Sequence, residues 1–300
     1  NPLSINDFLE KIIYHFDEPF GDNSAIPTYQ VSKYASEKVK MVLTGDGGDE
    51  VMSGYPTYAG LKYNDIYSFL PAFVKDSSKS IVKFSSNLVT GNFRYKLNHL
   101  HNLLESAEAP FIDRYCLKTP FTDLNNIKKL TRSFNNIIPI EDYMHDFISK
   151  INYKDDFYKL MYVDLKTRLP DGYLAKVDRM SMANSIETRA PFLDYRLIEF
   201  MCKVDKNLKQ NNFETKSILR KTIARSLPNE ILNAKKKGFV APLTVWFKDK
   251  ENKFLLESLI KSQWGLDSNT IKMIINNHLN GKSDNGLFIW QLLILNKLYE

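Results

Sequence analysis

The sequence predicts an α/β fold that is mostly helical, and three observations carry that prediction. The first is a short apolar run, Val39, Met41, Val42 and Leu43, of the right length for a buried strand. The second is the stretch that follows, Thr44-Gly45-Asp46-Gly47-Gly48-Asp49-Glu50. Three glycines and three carboxylates in the six residues from Gly45 exclude regular structure there. The third is apolar spacing of helical period almost everywhere else, resuming at once with Val51, Met52, Tyr55 and Tyr58. Strand, acidic glycine loop and helix, in that order, put the loop at the carboxyl end of a strand. Open α/β sheets bind ligands at that end.

The loop suits a particular chemistry. Glycines permit positive φ and close backbone approach. Backbone N–H groups beside a helix N-terminus attract phosphate oxygens. The carboxylates repel phosphate unless a cation sits between, and Mg²⁺ does so in many nucleotide sites, held by one or two carboxylates plus the phosphates. The loop therefore points to a Mg-nucleotide or Mg-pyrophosphate. A solvated acidic turn, capping a helix with Asp46 or Asp49, is the alternative.

Taken in order, residues 4–14 predict a helix capped by Ser4, with Phe8, Leu9, Ile12 and Ile13 on one face. His15 to Ser24, punctuated by Pro19 and Gly21, reads as a loop. Pro27 suits the first turn of a helix running to about Lys38. Helical patterns follow at 61–75, 78–86, 92–105, 109–117, 122–130 and 141–150, with aromatic residues that belong to packing surfaces. A long pattern over 155–183 is broken at Pro170. After it, Lys176, Asp178, Arg179, Glu187, Arg189 and Asp194 interleave with Leu, Met and Phe, which predicts partly buried ionic pairs. Further helices are expected at 194–203 and 214–226, ahead of a Pro-led helix ending near Trp246 and three last helices at about 250–261, 267–280 and 286–299. Only one strand is legible. A lone parallel strand is not stable, so its partners are hidden short strands or lie upstream of residue 1. No repeat or low-complexity linker divides the chain, which reads as one compact domain.

Composition excludes several classes. A hydrophobic fraction of 43% and a charged fraction of 25% are those of an ordinary globular protein. The net charge of +6, from 41 Lys+Arg against 35 Asp+Glu, is scattered, which suits anionic small molecules and not nucleic acid. Cys116 and Cys202 are too few for a disulfide scaffold and fit a reducing cytoplasmic setting. Five dispersed His and no CxxC or HExxH pattern argue against zinc. No run of 18 apolar residues predicts a membrane span.

Five blocks then match one family in order: DEPFGDNSAIPTY (17–29), LTGDGGDEVMSGY (43–55), LPDGYLAKVDRMSMANSIETRAPFLD (169–194), TKSILRK (215–221) and LPNEILNAKKKGFVAPLTVWF (227–247). The chain resembles the C-terminal synthetase domain of glutamine-dependent asparagine synthetases, a domain that β-lactam synthetases share. The resemblance covers nearly the whole chain and is poorest over about 60–150. It implies an adenine nucleotide alpha hydrolase-like (ATP pyrophosphatase) domain over residues 1–300, a parallel sheet wrapped in helices. It also implies a reaction in which a carboxylate and MgATP give an acyl-adenylate and pyrophosphate. Ammonia derived from glutamine by an N-terminal glutaminase domain then yields the amide and AMP.

The resemblance also implies roles for individual residues. Thr44 and Gly45 contact nucleotide phosphate, and Asp46 is an essential acid near the reacting centre. Asp49 is a Mg²⁺ ligand. Glu187 lies near the small carboxylate substrate, and Arg189 orders the site. Lys236, two residues before Gly238, is a catalytic cation and ATP contact. Asp46 stands where β-lactam synthetases carry Tyr, which favours amide synthesis over cyclisation. Aspartate is the default substrate. A sugar acid or other carboxylate of surface-polysaccharide biosynthesis, and a non-catalytic nucleotide-binding module, are the alternatives. Two features of the family are absent from these residues: the Ser-Gly-Gly-x-Asp-Ser phosphate loop and the glutaminase with its N-terminal Cys. The stretch therefore reads as the back half of a larger enzyme, with weak MgATP binding and no amide formation of its own.

Overall fold

The computed structural model describes residues 4–299 apart from 59, 62–66, 68, 90–92, 94–96, 98–99, 102–103, 106, 119–126, 128, 132–139, 212–213, 233, 235–237 and 263–264. Most of the helices expected at 92–105 and 122–130, and residues 62–66 and 68 of the one expected at 61–75, fall outside the described residues. The remainder is mostly helical with one small parallel sheet, as the sequence predicts.

Helix α1 (Ile5–Phe16) opens with a reciprocal cap. The Ser4 hydroxyl accepts from the Asp7 N–H, and the Asp7 carboxylate accepts from the Ser4 N–H. It buries Phe8, Leu9, Ile12 and Phe16. Helix α2 (Ala25–Ser36) starts two residues ahead of Pro27, and strand β1 spans Met41–Leu43. The helix expected after Glu50 instead begins at Gly48 and lasts one turn, α3 (Gly48–Val51), because the chain turns left-handed at Ser53, φ 57°. Helices α4 (Ala72–Leu88), α5 (Phe111–Lys118), α6 (Ile140–Ser149) and α7 (Asp156–Lys166) follow.

The expected break at Pro170 is not a break. Pro170 lacks the N–H that an α-ladder needs, and the chain widens into a π-helix, Arg168–Leu174, before resuming as α8 (Ala175–Met182). Single π-turns of this kind recur at functional sites. Next comes the element the sequence hid: strand β2, Glu187–Arg189. Its three residues, two of them charged, carry no apolar signature.

The later helices are α9 (Tyr195–Lys203), α10 (Lys206–Lys209), α11 (Ser217–Lys221), α12 (Asn229–Leu232), α13 (Leu243–Trp246), α14 (Lys253–Lys261), α15 (Ser268–Leu279) and α16 (Gly286–Tyr299). Helix α16 is apolar on nearly all sides, as a core helix must be. Its Phe288, Ile289, Trp290, Leu292, Leu293 and Ile294 are buried with α1, α14 and α15 in the main core. Each such side chain contributes roughly 1.5–3 kcal/mol.

The sheet is parallel and in register, with Met41 opposite Glu187, Val42 opposite Thr188 and Leu43 opposite Arg189. Main-chain bonds extend it at both ends: Glu187 N–H donates to Lys40 O at 3.0 Å and Thr44 N–H donates to Arg189 O at 2.8 Å. Met41, Leu43, Glu187 and Arg189 share one face and are exposed, while Val42 and Thr188 on the other are half-buried. Helix α8 packs along α2 and contacts β2, which carries the sheet on the helical body.

One buried charge stands apart. Lys209 is fully buried, with Nζ 3.5 Å from Met161 Sδ and near the rings of Phe157 and Tyr158. Burial pushes its pKa down to about 8 from an ordinary 10.5. A depressed lysine penalises the folded state below the folded value, and the penalty is relieved as pH rises towards the unfolded value. Lys209→Met is therefore expected to raise the urea midpoint at neutral pH. The advantage over wild type should shrink between pH 8 and 10.5; a variant less stable at neutral pH contradicts this account.

Candidate active site

The carboxyl ends of β1 and β2 point the same way, and most of the sequence-derived residues gather there. Thr44 leaves β1 bonded to Arg189, so the acidic loop begins beside the end of β2. Thr44 and Asp46 are half-buried and Gly45 is exposed. The Gly48 N–H closes the loop on Gly45 O at 3.2 Å, and Gly47 takes φ +81° as the N-cap of α3. A Cβ at Gly47 would lie 2.0 Å from Leu193 Cδ2, so both conformation and space demand glycine. Leu193 and Phe192 belong to the turn after β2, and this contact seats the acidic loop on the block containing Glu187 and Arg189.

Arg189 Nη2 lies 2.5 Å from Glu187 Oε1, with side chains 65% and 54% exposed. The partly buried pair expected here is an open one, and so is Asp194 with Arg196. Alternate strand residues share a solvated face, so neither charge is desolvated. Of the interleaved charges named from the sequence, Lys176 is buried. Its Nζ donates to Ser24 Oγ at 2.8 Å and lies 3.6 Å from Asp22 Oδ2. That contact fixes the 17–24 loop to α8, and Asn23 Nδ2, donating to Ala241 O at 3.1 Å, fixes it to the segment following Gly238. Lys236 lies outside the described residues.

Asp49, 24% exposed, has Oδ1 2.8 Å from Lys216 Nζ. Sequence reasoning marked the TKSILRK block and passed over Lys216 itself. The block holds three cations, Lys216, Arg220 and Lys221, and nothing in their spacing singles out Lys216.

Beneath the loop lies a buried polar network. Glu50 is 2% exposed and accepts from the Tyr55 hydroxyl at 2.5 Å. Arg168, first residue of the π-helix, lies over the rings of Tyr55 and Tyr173 and donates to the Tyr173 hydroxyl at 2.6 Å. It also faces Asp164, which accepts from the Tyr58 hydroxyl at 2.8 Å and the Tyr115 hydroxyl at 3.0 Å. Burial raises the carboxyl pKa of both Glu50 and Asp164; Arg168 and the tyrosines oppose the shift at Asp164 without cancelling it. Tyr58 and Tyr115, read as packing aromatics, are therefore also hydrogen-bond donors that hold the floor of the loop.

Among the described residues no three His, Cys, Asp or Glu converge as a self-sufficient metal cage. The donor set at the loop is Asp49, with Asp46 three residues before it. That set fits Mg²⁺ arriving with a polyphosphate, which supplies the remaining oxygens. A separate cavity of about 390 Å³, lined by Tyr58, Leu61, Asp155, Phe157, Lys206 and Gln210 among others, includes none of the sequence-derived site residues.

The family model described as asparagine synthase matches residues 3–300. The chain belongs to the asparagine synthase family. It is 32% identical over 296 residues to "Asparagine synthetase [glutamine-hydrolyzing] 1" of Bacillus subtilis, covering 98% of this chain and 45% of that protein. A second B. subtilis protein, "Asparagine synthetase [glutamine-hydrolyzing] 3", is 41% identical over 66 residues, 22% of this chain and 11% of that protein. "Amidase chyE" of Penicillium rubens is 24% identical over 267 residues, 79% of this chain and 38% of that protein. The chain thus spans less than half the length of the curated relatives it matches.

The buried carboxylate gives a pH test. A raised folded pKa adds stability that is present below the ordinary value of 3.8 and is lost as pH rises through the folded value. Wild type should therefore lose stability relative to Asp164→Asn as pH climbs from about 4, measured by urea denaturation. A difference that does not vary with pH contradicts the assignment.

Proposed function

We propose that the chain is the synthetase portion of an ATP-dependent amide-forming ligase that uses glutamine-derived ammonia, with aspartate as the default carboxylate. The observation that carries this reading is the meeting of the acidic loop with the Glu187–Arg189 strand at one sheet end, in a chain of this family.

The chemistry follows from the groups present. A carboxylate is a poor electrophile, so its oxygen first attacks the α-phosphorus of ATP and pyrophosphate leaves. The nitrogen of ammonia then attacks the acyl carbon, loses a proton, and AMP leaves. Gly45 offers its backbone N–H and Thr44 its hydroxyl to phosphate, the Thr44 N–H being held by Arg189 O. Asp49 would hold Mg²⁺ brought in with the nucleotide, and the ion would supply positive charge against the phosphates. Asp46, in the loop beyond the carboxyl end of β1, and Glu187, on the exposed face of β2, are the acids available to accept the proton from the attacking nitrogen. Arg189 holds Glu187 until substrate arrives. Lys236 supplies the cation at developing negative charge.

The glutaminase that supplies ammonia, and further phosphate contacts, are proposed to lie outside residues 1–300. Residues 1–300 alone are then expected to bind MgATP weakly and to form no amide, and the site is proposed to work in the cytoplasm.

The test uses the intact protein with ¹⁸O-labelled carboxylates, aspartate first, then sugar acids. Pyrophosphate release that depends on the carboxylate, with ¹⁸O recovered in AMP, is expected, and Asp49→Asn should lower it by about 10²-fold or more. Formation of ADP and phosphate, or turnover indifferent to Asp49, would refute the reading.

A further inference from the structure

Lys216 is held in an unusual way. It occupies the left-handed region, φ 55°, directly before α11, although it is not glycine. Its N–H donates to Ser53 O at 3.3 Å, and Ser53 is itself left-handed at φ 57°. Between them, Gly54 donates its N–H to Asp49 O at 2.7 Å. A Cβ at Gly54 would fall 1.8 Å from Asp49 Oδ1 and 2.4 Å from Lys216 Cε, so only glycine leaves room for the pair. Two strained residues and one obligatory glycine thus surround one contact, Lys216 Nζ to Asp49 Oδ1 at 2.8 Å. The side chains are 30% and 24% exposed, so the pair is half-buried, with Asp49 Oδ1 itself shielded. Backbone strain gathered at one carboxylate points to function.

We propose that Lys216 is a competing cation that occupies Asp49 in the empty site, so that a divalent ion enters only in company with a polyphosphate. The inference rests on the reading of Asp49 as the carboxylate that receives Mg²⁺. Its logic is electrostatic. One carboxylate in contact with an ammonium is a poor lure for a free divalent ion that gives up water reluctantly. A metal–polyphosphate complex brings its own oxygens as ligands and its own negative charge, and the ammonium then has an alternative partner within reach of a flexible four-carbon stem. The pair therefore couples metal entry to nucleotide entry and keeps the empty site free of adventitious metal.

The experiment titrates the intact, nucleotide-free protein with Mn²⁺ and reads free Mn²⁺ by EPR. Lys216→Met should bind Mn²⁺ about fivefold more tightly than wild type, the factor expected for loss of one partly exposed charge competitor. Lys216→Arg, which keeps the charge, should return towards wild type, and Lys216→Met with Asp49→Asn should lose the gain. If Lys216→Met does not fold, Lys216→Gln carries the same expectation. Folded neutral variants that bind Mn²⁺ no better than wild type would overturn the proposal. MgATP binding to wild type, measured in parallel by calorimetry, keeps the two readings separate. Its absence counts against the proposed function, while the Mn²⁺ comparison alone decides the role of Lys216.

Discussion

Three residues of parallel pairing, Met41–Leu43 against Glu187–Arg189, are the constraint on which the site depends. Residues far apart in sequence meet because Glu187 bonds to Lys40 at one end and Thr44 to Arg189 at the other. Two such short strands are not stable alone. They persist because α2 and α8 pack together behind them and because Gly47 lets Leu193 close on the acidic loop. The pairing thus converts distant blocks of sequence into one edge with carboxylates at its carboxyl end.

Around that edge the molecule divides its charges into two kinds. Glu50, Asp164, Arg168 and the hydroxyls of Tyr55, Tyr58 and Tyr115 form a buried floor whose members satisfy one another. Asp46, Asp49, Glu187 and Arg189 stand partly or largely in solvent, where a ligand can reach them. A buried network is rigid when satisfied, and exposed charges are cheap to rearrange. The floor fixes the loop; the rim is left to respond.

How much of this was legible from sequence depended on signal length. Helix α1, with its Ser4 cap, was readable because its apolar residues repeat one period, and α16 because its apolar run is too long for a strand. The loop at 44–50 was readable because its composition excludes any regular element. Strand β2 was not, since Glu-Thr-Arg is too short and too polar to alternate visibly. The π-helix hid behind Pro170, which ordinarily marks a break. Tyr58 and Tyr115 looked like packing aromatics because a hydroxyl leaves no trace in a hydrophobic pattern. The partners of Lys216 and Asp49 could not be read at all, because left-handed Ser53 and Lys216 violate their own propensities. Such violations concentrate where function is built.

A metal–nucleotide complex is proposed to bind at the carboxyl end of the β1–β2 pair. The most direct measurement is a crystal structure of the intact protein with Mn²⁺ and a non-hydrolysable ATP analogue, the metal located by anomalous scattering. An anomalous peak is expected at the Asp49 carboxylate, with the polyphosphate along Thr44–Gly48 and Lys216 displaced from Asp49. Density for the analogue elsewhere, for instance in the cavity bounded by Tyr58, Phe157 and Lys206, with Asp49 still paired to Lys216, would contradict it.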